Sequence, residues 1–196
     1  MSLVSNLYQL RMEKASTLLN DKRFWEIIDS TVKNGISLDK QAALLKNELM
    51  ALDEKELVGF RYNFFKFMNN SYRSQLWAVA YIVMGGCSDD GFDYFRMWLI
   101  TRGKKVFDAA LENPDSLCNK FDNIAEGDMP EFEDASYIPG EVMKEKFSMD
   151  IYDEEDNYEW TLTQPEIDFD WDEDDEESMR NAAPNTFDKW WLNDRF

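Results

Sequence analysis

Apolar residues recur at helical spacing through the first 121 residues of the chain. Leu38, Ala42, Leu45 and Leu49, for example, fall on one face of a helix that Ser37 is expected to cap. The same spacing predicts helices over residues 3–20, 24–35, 54–69, 71–84, 89–103 and 104–112, with a last short helix starting at Pro114. The pattern therefore predicts a mainly α fold, a compact bundle of about six to seven helices.

Some of these helices have recognisable ends. Asp53, with Glu56 three residues later, is typical of a capping box at the start of the helix over residues 54–69. Gly35 is expected to close the helix that precedes it, and Gly85 is expected to close the helix over residues 71–84.

The pattern changes after Phe121. Prolines and glycines divide the rest of the chain into short pieces, and no helical stripe longer than about two turns is visible. Short strand-like or extended pieces are predicted at 158–162 and 167–171. We therefore divide the chain into a helical domain, residues 1–121, and a C-terminal segment, residues 122–196.

Charge is distributed unevenly along the sequence. The formal net charge is -19, yet residues 1–110 contain 15 Lys and Arg against 13 Asp and Glu. From Phe147 to Met179 there are fifteen acids and no Lys or Arg. Six large aromatic residues are interleaved with these acids: Phe147, Tyr152, Tyr158, Trp160, Phe169 and Trp171. Because aromatic side chains bury large areas, we expect the segment to fold back on the mildly basic helical domain and form one structural unit with it.

Composition excludes several classes of function. The chain has no histidine, which removes the commonest general base and zinc ligand, and its two cysteines, Cys87 and Cys118, have no metal-binding spacing. No run approaches the length of a membrane span, and no signal peptide is visible, so we predict a cytoplasmic protein. No phosphate-binding or dinucleotide motif is found, and we expect neither a cofactor nor a bound metal. Nucleic acids and membranes are anionic and are poor partners for such a charge.

One polar corner interrupts the apolar helices between Gly85 and Arg96. Ser88 and Asp89 are placed to cap the following helix, and Asp89 with Asp90 complements its dipole. Asp90, Arg96 and Trp98 are polar or bulky side chains that a turn alone does not require. We expect Arg96 to form an ion pair with Asp93 or with an acidic C-terminal strand. The corner is therefore either structural or a ligand site.

The same corner carries a family resemblance. The stretches "RFWEIID" from Arg23, "GGCSDDGFDYFRMWLITRGK" from Gly85 and "NPDSL" from Asn113 resemble a bacterial family catalogued as domain of unknown function 4240. The resemblance covers roughly residues 23–121 and continues more loosely through the acidic sequence. It implies a small, mostly helical bacterial protein and no established reaction.

The acidic segment provides the leading hypothesis for function. We predict a non-enzymatic binding protein that engages a basic partner, such as a toxin or a nucleic-acid-binding protein, by imitating nucleic-acid charge in an immunity or inhibitor-like role. The predicted contact residues are Asp153, Glu154, Glu155, Asp156, Trp160, Asp170, Trp171, Asp172, Asp174 and Asp175. A solubilising surface would explain the same acidity. The alternatives are a metal-dependent hydrolase built on Asp89 and Asp90, and a structural or regulatory helical module.

Overall fold

A computed structural model describes residues 12–125, 127–163 and 165–193. Over these residues the protein is mainly α-helical, which confirms the predicted fold class. Its α-helices are α1 (Asp21–Thr31), α2 (Leu38–Leu49), α3 (Glu54–Asn70), α4 (Ser74–Met84), α5 (Asp89–Thr101), α6 (Lys104–Glu112), α7 (Ile138–Phe147), α8 (Ile151–Glu155), α9 (Glu176–Ala182) and α10 (Pro184–Trp190). Short 3-10 helices lie at Ala15–Thr17, Pro114–Leu117, Glu133–Ser136 and Trp191–Asn193.

Two of the three predicted helix ends are confirmed, and the third is wrong. The capping box at Asp53 is formed in full, because its side chain accepts from the Glu56 N–H while the Glu56 side chain accepts from the Asp53 N–H. Gly85 closes α4 in the left-handed conformation, with φ 66°, as predicted. Helix α1, in contrast, ends at Thr31, well before Gly35. The backbone is already extended at Val32, so Gly35, with φ 68°, shapes the loop instead.

The predicted helix over residues 3–20 is not formed where the structure describes it, from Met12 onward. Lys14 forms an isolated parallel bridge with Glu159, and only Ala15–Thr17 adopts a 3-10 turn. The segment passes very close to α3, since a Cβ placed on Gly59 would lie 2.6 Å from the Leu19 backbone nitrogen. Tertiary contacts have therefore replaced the helix that the spacing predicts, and residues 1–11 of that prediction lie outside the described part.

The prediction of only short helical pieces after Phe121 is wrong for α7. This helix has ten residues, and Pro139 lies in its first turn, where the missing N–H has no helical partner to lose. Pro184 begins α10 in the same way. Of the two alternatives for residues 158–162 and 167–171, strand or extended chain, the strand is not formed where the structure describes them: Glu159 makes one isolated bridge, and residues 167–171 make none.

The hydrophobic core extends from the first helices to the last. Phe24, Trp25, Phe67 and Phe107 form a ring cluster between α1, α3 and α6, with centroid separations of 4.6–5.6 Å along its contacts. Trp190 of α10 is also buried, and its indole N–H donates to the Cys118 carbonyl over 2.8 Å. The C-terminal helices thus belong to the same core. In the part of the chain that the structure describes, no helix is long and apolar enough to cross a membrane.

Candidate functional site

The segment after α8 runs alongside α3 and then reaches the start of α4. Just before it, at the last residue of α8, the Glu155 carboxylate pairs with the Arg61 guanidinium, and both side chains are largely buried. Further along, the Tyr62 hydroxyl lies 3.0 Å from the Thr161 hydroxyl. The Asn69 amide then donates to the Thr163 carbonyl over 3.1 Å. The acidic segment is therefore fixed to the surface of the helices rather than extending from it.

The next part of this segment is the acidic strip, which we define as residues Glu166–Glu177. Its backbone is anchored at Ser74, the first residue of α4. The Trp171 indole N–H donates to the Ser74 carbonyl over 2.9 Å, and the Asp170 N–H donates to the Ser74 hydroxyl over 3.1 Å. The Asp170 carboxylate accepts from the side chains of Ser74 and Gln75, and the Ser74 hydrogen bond lowers the pKa of Asp170.

Aromatic contacts fix the acidic strip on its inner side. The Phe169 ring lies 5.3 Å from the Trp77 ring, and the Trp171 ring lies 5.4 Å from the Tyr81 ring. Trp191 contacts the same Tyr81 ring, and its indole donates to the Glu176 carboxylate over 3.1 Å. Trp77 is buried, Tyr81, Trp171 and Trp191 are half-buried, and Phe169 is 53% exposed. The aromatics of the strip thus attach it to α4.

The carboxylates of the acidic strip, in contrast, face solvent. The strip contains nine Asp and Glu in twelve residues, and every one of them is exposed. Within the described ranges, none of the nine forms a salt bridge with Lys or Arg. Neutral donors contact some of them, and burial together with the Glu173 carboxylate raises the pKa of Tyr81. The strip is therefore a concentrated negative surface whose position is set by uncharged contacts.

The predicted contact residues on and near α8 have different environments. Asp153 and Asp156 are exposed and Glu154 is half-buried. Glu155 faces Arg61, and burial raises its pKa although Arg61 opposes the shift. The Trp160 indole donates to the Glu155 carbonyl over 3.2 Å, so Glu155 and Trp160 are engaged inside the molecule.

The predicted contact residues of the acidic strip are brought together at a different place. Asp170 and Trp171 are held by Ser74, as described above. Asp172 accepts from the Asp174 N–H over 3.0 Å, and Asp175 caps α9 by accepting from the N–H groups of Glu177 and Ser178. The α8 group lies against the middle of α3 and the strip against α4, so the ten predicted residues form two groups rather than one site.

The corner between α4 and α5 is built as a turn. The Trp77 indole donates to the Cys87 carbonyl over 3.1 Å, and the Trp77 ring stacks on Phe92 at 4.5 Å. The Ser88 hydroxyl accepts from the Gly91 N–H over 3.2 Å and caps α5. These contacts give the polar residues that precede α5 a structural role.

Arg96 and Trp98 are buried, each 3% exposed. The Arg96 guanidinium pairs with Asp93, as predicted, and donates to the Met68 carbonyl over 2.7 Å near the end of α3. Burial lowers its pKa, against the effect of Asp93. The Trp98 ring stacks on Phe121 at 5.5 Å. Both residues therefore join α5 to neighbouring elements.

The chemistry available at the corner is limited. Burial raises the pKa of Cys87 to about 12, so its thiol stays protonated and is a poor nucleophile. Asp89 and Asp90 are exposed in the first turn of α5. Among the residues that the structure describes, no three His, Cys, Asp or Glu side chains are grouped so that they could hold a metal ion. The hydrolase alternative gains no support from this geometry.

The corner lies within the part of the chain that matches a known family. Residues 19–145 match the family described as Protein of unknown function (DUF4240). The chain belongs to the DUF4240 family. This confirms the resemblance seen in the sequence and extends it from residue 121 to residue 145, through most of α7. No curated protein and no solved structure matches the chain. The acidic strip lies outside the DUF4240 match.

The cap at the DUF4240 corner gives a first prediction. We expect Ser88→Ala to lower the free energy of unfolding by about 1 kcal/mol, because the Gly91 N–H loses its acceptor. Asp89→Ala is expected to cost less, roughly 0.3–1 kcal/mol, since the cap hydrogen bond belongs to Ser88 and Asp89 in the first turn stabilises α5 through the helix dipole. Urea denaturation of both variants measures the difference, and a larger loss for Asp89→Ala would contradict the assignment of Ser88 as the cap.

Two residues that join distant parts of the fold, Asp115 and Arg61, were not identified from the sequence. Asp115 lies in the "NPDSL" stretch of the DUF4240 resemblance, and its carboxylate accepts from the backbone N–H groups of Asn185 and Thr186. Arg61 is the ion-pair partner of Glu155. An arginine in the apolar run of α3 is a signal for a buried ion pair, but the sequence does not indicate its partner, which is 94 residues away.

Proposed function

We propose that this protein is a non-enzymatic, acidic binding protein that engages a basic protein partner in the bacterial cytoplasm. The role is immunity-like or inhibitor-like, with the acidic strip imitating the charge of a nucleic acid. The observation that supports it is the acidic strip itself: nine exposed carboxylates in twelve residues, attached by rings and neutral hydrogen bonds.

The attachment of the acidic strip favours binding over simple solubilisation. A solubilising tail needs charge but no fixed conformation. Here Trp171 and Phe169 are used to hold a highly charged backbone against α4, although the repulsion between its carboxylates opposes that conformation. A surface that is already ordered loses less conformational entropy when a partner binds. The acidic strip is therefore preorganised in the way expected of a binding surface.

The charge of the acidic strip favours a basic protein as the partner. Nucleic acids and lipid surfaces carry the same sign as the strip and would be repelled by it. A protein that binds nucleic acid presents a matching positive surface, and complementary charge accelerates association. We therefore expect the partner to be a protein with a basic groove.

Selective capture tests this proposal. A strip variant, Glu166→Gln with Asp168→Asn and Asp174→Asn, removes three exposed charges whose side chains, among the residues that the structure describes, form no salt bridge and cap no helix. Immobilised wild-type protein and the strip variant are exposed to a lysate of the source organism at low salt. We expect a basic protein to be retained by wild type, released by a salt gradient and identified by mass spectrometry, and lost from the strip variant.

A matched control variant has the same net charge as the strip variant. Asp39→Asn with Glu54→Gln and Glu112→Gln removes three exposed acids from the helices, outside the strip. This control variant is expected to retain the same protein as wild type. The proposal is wrong if no basic protein is retained by wild type, or if the strip and control variants retain it equally.

A further inference from the structure

A cleft of about 530 Å³ lies between α3, α7 and the start of α8. Its lining includes Tyr137 at the start of α7 and Tyr152 in α8. Tyr137 is 50% exposed and Tyr152 is 56% exposed, which is unusual for large aromatic side chains. Exposed tyrosines beside a cavity are typical of protein interfaces, because they offer area at small entropic cost.

One of these rings already contacts a guanidinium of this chain. The Arg61 guanidinium carbon lies 4.6 Å from the centre of the Tyr152 ring, and the Glu155 carboxylate balances its charge. The pair shows that a guanidinium is accommodated here when an acid is close to it. More than half of Tyr152 remains exposed beyond this contact.

The charges around the cleft are mostly negative. Glu141, Asp150 and Asp153 line it and are exposed, and Lys144 is the opposing cation. Arg61 is paired with Glu155, and Glu141 is paired with Lys46 over 3.4 Å, so these two side chains add little net charge to the opening. A guest with a positive charge therefore meets chiefly the carboxylates of Asp150 and Asp153, with Lys144 opposing them.

We propose that this cleft binds an arginine side chain of the basic partner, an inference that rests on the proposed function. A guanidinium is planar, stacks on aromatic rings and pairs with carboxylates through a fork of N–H groups. Tyr137 and Tyr152 supply the rings, and Asp150 and Asp153 supply carboxylates. A lysine has the charge but not the planar group, and is expected to bind more weakly.

A small probe separates this site from the acidic strip. The probe is acetyl-Gly-Arg-Gly-amide, titrated into the full-length protein and followed by NMR of the residues that line the cleft. We expect saturable shifts there, weaker binding of the lysine analogue, and no comparable binding of the citrulline analogue, which has the same shape without the charge. Equal binding of the citrulline peptide would overturn the proposal.

Variants test the roles of the ring and the charge. Tyr152→Ala is expected to weaken Arg-peptide binding about fivefold, while Tyr152→Phe keeps the ring and most of the affinity. Lys144→Gln is expected to strengthen binding roughly twofold, a gain that a folding defect cannot produce. Lys33→Gln, an exposed lysine after α1, is the matched control and should leave the affinity unchanged. Weaker binding by Lys144→Gln would contradict the inference.

The two proposals fail in different ways. The strip variant is expected to bind the Arg peptide as wild type does, because its three changes lie outside the cleft. If the peptide binds in the cleft but no basic protein is captured, the proposed function fails and the inference that rests on it loses its partner. If a basic protein is captured but the peptide gives no shifts in the cleft, the inference alone fails.

Discussion

Asp115→Ala is expected to lower the free energy of unfolding by about 3 kcal/mol and to loosen α10 from α4. Asp115 is 8% exposed, and its carboxylate accepts four hydrogen bonds from the first turn of α10. Two of these come from the backbone N–H groups of Asn185 and Thr186, over 3.0 and 2.8 Å. Asp115 thus satisfies a helix N-terminus that has no cap of its own. Removing it leaves the buried N–H and hydroxyl of Thr186 without this acceptor.

Urea denaturation and amide hydrogen exchange measure this effect. Exchange should accelerate most in α10, since that helix loses its acceptor. Asp108→Ala is the matched control, because Asp108 is exposed and forms an i,i+4 salt bridge with Lys104. It is expected to cost about 0.5 kcal/mol or less. Equal stability of the Asp115 and Asp108 variants would contradict this assignment.

The same site gives a dependence on pH. Burial opposes ionisation of Asp115, but the hydrogen bonds from Thr186 and Asn185 outweigh it and lower the pKa of the carboxyl. Because the pKa is lower in the folded state than in the unfolded state, the stabilisation is present above the unfolded value of about 3.9. It is lost as the pH falls through the folded value. The Asp115→Ala variant should therefore lose less stability than wild type below about pH 4.

The strip variant is expected to associate with the captured basic protein about tenfold more slowly than wild type at low ionic strength. The reason is that Glu166, Asp168 and Asp174 are exposed charges that contribute to attraction before contact is made. Stopped-flow or surface-based kinetics measures the rate constant. Urea denaturation should give the strip variant the stability of wild type, which separates the loss of attraction from a loss of fold.

The control variant decides whether position matters as well as net charge. It removes the same number of charges from the helices, at Asp39, Glu54 and Glu112. Its association rate is expected to stay within about twofold of wild type, because charges farther from the interface attract the partner more weakly. Equal slowing of the control and strip variants would mean that only total charge attracts the partner.

Features set by neighbouring residues could be predicted from the sequence. The cap at Ser88, the capping box at Asp53 and the pairing of Arg96 with Asp93 each involve residues at most four positions apart. Local spacing fixes such contacts, because they form within one or two turns of helix.

Features set by distant residues could not be predicted. The spacing of residues 3–20 indicates a helix, but from Lys14 the chain pairs with Glu159 and packs on Gly59. Pro139 looks like a break between short pieces, yet it lies in the first turn of α7. Tertiary packing decides such cases, because helix propensity is a weak preference that contacts override.

In the candidate sites, too, local features could be predicted from the sequence and contacts between distant residues could not. The acidity of the strip is visible in the sequence, whereas its attachment through Trp171 to Ser74 joins residues 97 positions apart. The cleft beside Tyr152 likewise requires α3, α7 and α8 to meet. The sequence thus indicated the charge that we assign to binding, and the structure added which aromatics hold it in place.

The dependence of the association rate on ionic strength tests the central claim most directly. The rate constant for wild-type protein and its captured basic partner is measured across a salt series, with the strip variant measured alongside. Attraction by the acidic strip predicts a steep fall for wild type as salt rises, and a shallower fall for the strip variant. A wild-type rate constant that does not change with salt would contradict the claim that the strip binds a basic partner.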